Sequence, residues 1–345
     1  MERLLITLIL VCTMNNITNA QNPFYGQYHT PHEAVPFDRI ETEHYEPAIL
    51  EGIRLQNAEI EAIIQNPEKA DFTNTIEAFD ESGELLDRVV AVFGNMLSAE
   101  TNDDLQELAQ KIMPLLSEHS NNITLNEKLF ARVKEVYNQK EALQLTQEQK
   151  QLLENAYNSF VRHGANLEGE AREEYRRLTT ELSKLTLTFS ENNLKETNAY
   201  QMLLTKKESL AGLPEIIIEA AAETAKSEGK EGWAFTLHAP SYIPFMTYSD
   251  NRDLRQKLYM AYNTKCTHDN EFNNIEIVKK LVNTRMKIAQ LLGYKDYAEY
   301  TLKKRMAENS KSVYKLLNQL LEAYTPTAQQ EYLSLIHISE PTRPE

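Results

Sequence analysis

The closest approach to metal chemistry in this sequence is His32-Glu33-Ala34-Val35-Pro36. It begins like H-E-x-x-H, in which two His four residues apart share one helix face and hold Zn²⁺ while the Glu between them acts as general base toward the bound water. Here Pro36 stands where the second His should be and Pro31 precedes the pair, so both the second ligand and the helical register are missing. His29 and His32, three apart in the same proline-interrupted stretch, are read as surface residues. Cys266 with His268 is the one pairing of a nucleophile with a base to weigh. Residues two apart diverge on a helix and point to opposite faces of a strand, so the pair is read as structural, with a Cys266 thiol hydrolase kept as an alternative. The sequence contains no G-x-S-x-G elbow, no P-loop and no G-x-G-x-x-G. Asn122-Ile123-Thr124 is a glycosylation acceptor pattern that matters only in a eukaryotic host. No catalytic, substrate-binding or metal-ligating role is assigned to any position.

The elements around these residues read as helices almost throughout. Residues 47–66 carry Ile49, Ile53, Ile60, Ile63 and Ile64 on one face before Asn66-Pro67 stops the helix. A longer helix follows, striped by Ile76, Phe79, Leu86, Val90, Phe93 and Leu97. Thr146-Gln147-Glu148-Gln149 is a capping box opening a helix with Leu152, Leu153, Ala156, Tyr157, Phe160 and Val161 on one side, and Gly164 is placed to end it. The next segment is striped by Leu178, Leu182, Leu185 and Phe189. Turn clusters at residues 210–214 and 228–232 mark a change of composition. Residues 233–239 then alternate apolar and polar and are predicted to pair back onto residues 245–248 across the turn at 240–244. Helices resume with Ser249-Asp250 as cap; Gly293 punctuates, and Val313, Leu316, Leu317, Leu320, Leu321 and Tyr324 stripe the last. The fold class is mainly α, a multi-helix architecture with one small β-hairpin element, and the stripes are read as core.

The 345 residues carry a formal net charge of −15, a field that argues against nucleic acid and anionic membrane as partners. Arg3, the apolar run over residues 4–13 and Thr18-Asn19-Ala20 read as a signal peptide over residues 1–20, predicting an exported chain, periplasmic or extracellular. The run is about half the ~20 residues that span a membrane, so no anchor is expected after its removal. Val11 spoils a lipoprotein reading of Cys12. Only Cys266 then remains, and stability must come from packing without an intramolecular disulfide. Residues 21–209 form an N-terminal helical region, and 210–332 hold the small β element followed by helices. In residues 333–345, Leu-Ser-Leu-Ile-His-Ile-Ser-Glu-Pro-Thr-Arg resembles a translated transposon adapter, so His337 is treated as non-functional.

Phe37-Asp-Arg-Ile-Glu-Thr-Glu-His-Tyr-Glu-Pro-Ala48, Ala58-Glu-Ile-Glu-Ala-Ile63, Asn66-Pro67, Asn74-Thr-Ile76 and Ser82-Gly83 resemble the opening of the thimet oligopeptidase family of zinc peptidases, within it the peptidyl-dipeptidase (dipeptidyl carboxypeptidase) branch. The resemblance continues through Ala99-Glu-Thr-Asn-Asp103, Leu125-Asn126, Leu129-Phe-Ala-Arg-Val-Lys134, Phe160-Val-Arg-His-Gly-Ala165, Leu210-Ala-Gly-Leu-Pro214, Ala239-Pro-Ser241, Asn251-Arg-Asp-Leu-Arg255 and Leu291-Leu-Gly-Tyr294. It covers residues 35 to about 331.

The resemblance implies a helical clamshell around a deep channel, a monomer, in which Zn²⁺ activates water to cleave oligopeptides and release dipeptides from free C-termini. It also implies that the H-E-x-x-H helix, a downstream Glu ligand and the later substrate-orienting Tyr and His lie beyond Tyr332. Residues 210–332 would then start a peptidase domain cut before its zinc motif, the chain itself would be inactive, and helices after Ser249 should expose an apolar face where the missing half packs. The competing reading is a complete secreted helical protein that binds peptides or other partners without catalysis.

Overall fold

In a computed structural model, which describes residues 22–339, helix α1 (Thr42–Gln65) sets the frame. It starts five residues ahead of the expected Pro47, because Glu41 and His44 close a reciprocal capping box in which the Glu41 N–H donates to His44 Nδ1 at 2.9 Å. Pro47 is accommodated inside. Asn66 ends the helix in extended conformation, as the residue before a proline prefers.

The single long helix expected next is broken. Residues Phe72–Glu77 form a π-helical turn and Ala78–Asp80 one α turn. Gly83 then takes φ +86° before α2 (Glu84–Ala99) begins. Asp71 and Asn74 close a capping box at the start of this turn (Asn74 N–H to Asp71 Oδ1, 2.7 Å). The stripe is therefore split between two cores: Ile76 and Phe79 pack with Ile60, Ile63, Phe130, Val133, Leu153 and Phe160, while Leu86, Val90, Phe93 and Leu97 pack with Tyr45, Ile49, Leu105 and Ile112. A Cβ added at Gly52 of α1 would lie 2.9 Å from Leu86 Cα, which is how closely α1 and α2 approach.

Helices α3 (Asp103–Thr124) and α4 (Glu127–Asn138) start at Asn102 and Asn126, whose side chains accept backbone N–H groups of their first turns. Helix α5 (Gln147–Arg162) opens on the expected box of Thr146 and Gln149 and gives way to Gly164 at φ +86°. All six residues of its predicted stripe lie in the first core. Helix α6 (Gly169–Ala199) departs from its predicted stripe, since Phe189 is 38% exposed while Glu191 is buried. His119 on α3 is buried with Nε2 2.7 Å from Gln56 Oε1 of α1, and burial holds its pKa below the usual imidazole range.

The predicted hairpin is corrected. Strand β2 (Trp233–Thr236) pairs antiparallel with β1 (Gln201–Leu204), from Gln201 opposite Thr236 to Leu204 opposite Trp233, and α7 (Glu215–Ser227) lies between them in sequence. Residues Ala239–Tyr248 form helix α8 instead of a return strand. Pro240 cannot donate to a ladder but suits a first helical turn, and Ser241 Oγ accepts the Thr236 N–H at 3.0 Å, tying the helix start to the strand end. Phe245 then packs edge-on against Phe235, centroids 4.6 Å apart, in a third core with Met202, Leu204, Leu210 and Leu258. Helix α9 (Arg252–Asn263) is capped by Asn251, whose Oδ1 accepts the Leu254 N–H at 3.1 Å; Ser249 instead ends α8.

The chain divides into two compact units, Met1–Val282 and Asn283–Glu345. The division falls within α10 (Ile275–Leu291). The second unit includes Gly293 at φ +83°, α11 (Tyr297–Leu302) capped by Asp296, and the long α12 (Ser310–Ser339), which runs unbroken past Tyr332. Among the described residues no helix is long and apolar enough to cross a membrane.

Candidate functional site

The residues nearest to a metal motif sit where they cannot act as one. Pro31–Glu33 is a single 3₁₀ turn in which His32 and Glu33 have left-handed φ of 58° and 55°, both exposed, so the helical face that H-E-x-x-H needs does not form. Among the described residues no group of three or more His, Cys, Asp or Glu side chains could hold a metal ion. Asn122 of the glycosylation pattern lies inside α3, its Oδ1 accepting from Arg176 Nη1 at 2.6 Å. His337 lies in a part of α12 whose side chains are outside the description.

Cys266 is buried, with φ +58°, and its N–H donates to the Glu196 carboxylate. His268 places Nε2 3.9 Å from the same carboxylate and 3.2 Å from Thr264 Oγ. Burial pushes the Cys266 thiol up to about 11, with the hydrogen bond and negative charge of Glu196 adding to the rise and Lys265 opposing it. A nucleophilic cysteine needs the opposite surroundings, a cation or base that favours thiolate. The thiol-hydrolase reading therefore loses its basis. With an ordinary pKa of 9.0 and a folded value near 11, the native thiolate population at pH 8 is about 100-fold smaller than in the unfolded chain. Reaction of Cys266 with a disulfide reagent at pH 8, read by peptide mapping so that Cys12 is not counted, is expected to run at least about 10-fold slower in the native protein than in denaturant, because the more basic thiolate is also the better nucleophile; equal rates would restore an accessible nucleophile.

Several of the motifs that carry the family resemblance contain caps, turns and stops, while Ala58–Ile63 and Leu129–Lys134 lie inside α1 and α4. Asn66 Oδ1 accepts the Glu68 N–H at 2.9 Å, Asn251 caps α9, Arg255 Nη1 donates to the Ser249 carbonyl, and Gly164 terminates α5. They fix where helices begin and end.

The apolar face expected after Ser249 is present. In the first unit Tyr259, Met260, Ile275, Val278 and Val282 are exposed; in the second, Leu316, Leu317, Leu321 and Tyr324 of α12 are each more than half exposed. The last predicted stripe is thus correctly placed on a helix, yet faces solvent instead of a core. The residue that pattern reading passed over is Glu191, a buried carboxylate on α6. Its spacing, four after Leu187 and three before Leu194, sets it within an apolar face and is the signal that could have marked it.

Comparison with known proteins agrees with the motif reading. Residues 245–340 match the model of Peptidase family M3. The chain is 35% identical to dipeptidyl carboxypeptidase from Escherichia coli K12 over 315 residues, 91% of this chain and 46% of that protein. It is 32% identical to oligopeptidase A from Haemophilus influenzae over 304 residues, 87% of this chain and 44% of that protein. The chain therefore spans about half the length of the curated relatives it matches, and its resemblance to metallopeptidases of this kind is borne out over nearly all of it. The expected periplasmic or extracellular location is corrected. The apolar run behind it lies outside the described residues. Two Arabidopsis thaliana relatives, each 28% identical, carry a place in their names: a probable cytosolic oligopeptidase A and an organellar one, chloroplastic/mitochondrial.

Proposed function

We propose, starting from this kinship with peptidase family M3, that the chain is the N-terminal part of a zinc metallopeptidase that hydrolyses oligopeptides and releases C-terminal dipeptides. The observation that carries the reading is similarity to two peptidases over 87% and 91% of the chain while it covers less than half of either. Zinc in such an enzyme supplies a water nucleophile at neutral pH. The described side chains do not fit that ion, because no group of three ligating residues converges. Its ligands belong to sequence outside this chain.

What the described residues contribute is scaffold. Capped helices with three packed cores form the scaffold of the first unit, and in each unit separately the exposed apolar residues, those of 259–282 in the first and of α12 in the second, receive parts of the remaining enzyme. The acidic net charge of −15 disfavours nucleic acid as a partner. The enzyme acts as a monomer.

The test is a quenched-fluorescent peptide assay with and without Zn²⁺. The chain alone is expected to give no metal-dependent turnover. A longer polypeptide that continues through an H-E-x-x-H helix is expected to release dipeptides, and substituting either His of that helix should abolish the activity. Zinc-dependent turnover by the chain alone would sink the proposal.

A further inference from the structure

The first unit contains a cavity of about 630 Å³ between the end of α2, the start of α3 and the C-terminal half of α6. Its walls include Thr101, Gln106 and Glu191. Gln106 and Glu191 are each 8% exposed, more than nine-tenths buried. One Glu191 oxygen accepts from Gln110 Nε2 at 2.6 Å. The other, together with Gln106 Oε1 and Thr101 Oγ, is buried without a hydrogen-bond partner. A carboxylate satisfied on one side only is costly in such surroundings, and the orphaned Gln106 oxygen beside it adds to the demand for donors, of which the Thr101 hydroxyl can supply one.

Most hydroxyls in the rest of the wall are already committed, Ser183 Oγ donating to the Met113 carbonyl, and Ser190 alone adds a further hydroxyl donor. Ser98 Oγ and Thr186 Oγ donate their hydrogens to the carbonyls of Gly94 and Leu182 on their own helices, leaving only lone pairs. No Lys or Arg lines the space. Leu97, Met113, Leu187 and Leu194 supply the apolar part of the surface. The site is therefore rich in acceptors, carries one negative charge and is walled by aliphatic groups.

We infer that this cavity takes an alkylammonium group, with the ammonium hydrogens on Glu191, Gln106 and Thr101 and the aliphatic stem along the leucines. A bare monovalent ion would leave the apolar walls and most of the volume unused. An anion would meet a carboxylate. A neutral hydrocarbon would leave the three oxygens unsatisfied. An ammonium with three hydrogens on a flexible stem answers all of these at once. The group arrives either on a small free amine or on the lysine side chain of a peptide.

The experiment is thermal unfolding and titration calorimetry of the full chain with n-butylammonium chloride, against KCl at equal ionic strength, and with a short peptide bearing one internal lysine. Butylammonium is expected to bind with a Kd on the order of 1 mM, and at about 10 mM to raise the melting temperature by roughly 2 °C over the KCl control. Glu191→Gln, which keeps the shape and the Gln110 contact, should weaken binding at least 10-fold. Leu194→Phe, which fills the apolar wall and leaves the carboxylate, should do the same, with circular dichroism checking that each variant folds. Binding of the lysine peptide with the same dependence on Glu191 identifies a peptide side chain as the natural source; binding of the free amine alone identifies a small amine. The inference is overturned if KCl stabilises as strongly as butylammonium, if Glu191→Gln binds unchanged, or if neither probe binds.

Discussion

Gly212→Ala is expected to lower the midpoint of urea unfolding by about 1 M, a loss of roughly 3–5 kcal/mol. Two costs combine. At φ +86° an alanine is strained by about 1 kcal/mol. The larger cost is collision: a Cβ there would lie 2.3 Å from the Tyr248 carbonyl oxygen and 2.9 Å from the Asp250 N. Both neighbours are backbone, and the Asp250 N–H is held by the Ala211 carbonyl at 2.9 Å, so relief means separating this turn from the end of α8. That movement would loosen Leu210, Leu213 and Phe245, which share the third core. Trp233, the only tryptophan, packs against the same core from β2 and reports the loss directly through its emission. Gly229→Ala is the control, since that glycine has a left-handed φ of 69° with nothing within 4 Å of an added Cβ. It should cost only about 1 kcal/mol. Equal effects of the two substitutions would show that the close approach at Gly212 is not what the fold depends on.

That glycine also marks the limit of what could be read from the chain. Residues 210–214 are recognisable as a turn from composition, but the partner that makes Gly212 indispensable is Tyr248, 36 residues further on. The same holds for the sheet. Trp233–Thr236 was legible as a strand, whereas its partner Gln201–Leu204 has only four residues and follows directly on α6, so local pattern assigned the pairing to residues 245–248. Pro240 and the apolar demand of the third core decided for a helix there. Helix existence was read well because the stripes are strong, and the Thr146 box and Gly164 stop were read to the residue because their chemistry is local. The break at Gly83 was missed because the stripe continues across it in register while its two halves serve different cores.

The functional residues were less accessible for a different reason. Motifs that resemble a peptidase family are found as caps, turns and helix interiors, so they identify the scaffold and leave its chemistry to residues elsewhere. Burial of a carboxylate depends on which helix packs against α6 at Glu191, and sequence spacing alone does not say which apolar face meets a neighbour and which meets a cavity. The exposed stripe of α12 makes the same point in reverse, since a pattern built for burial is found in solvent.

Phe160→Ala brings these strands together, and is expected to cost about 3–5 kcal/mol, the range for removing a fully buried aromatic ring. Phe160 is 1% exposed in the first core, with ring centroids 5.3 Å from Phe79 and 5.8 Å from Phe130. Its removal would leave both rings facing a void, and it links the one-turn segment after the π turn to α4 and α5, so that the loss is shared by three elements. Phe189 occupies the same kind of position in its own predicted stripe, but is 38% exposed on α6. Phe189→Ala should therefore cost less than about 1 kcal/mol. Hydrogen exchange read by mass spectrometry distinguishes the two: in Phe160→Ala, peptides from residues 127–138 and 147–162 should lose protection together, while the peptide from 233–236 in the third core keeps its own. Equal destabilisation by the two substitutions would mean that Phe189 is covered in solution by a surface the described chain does not supply, and the exposed apolar face of this scaffold would then extend onto α6.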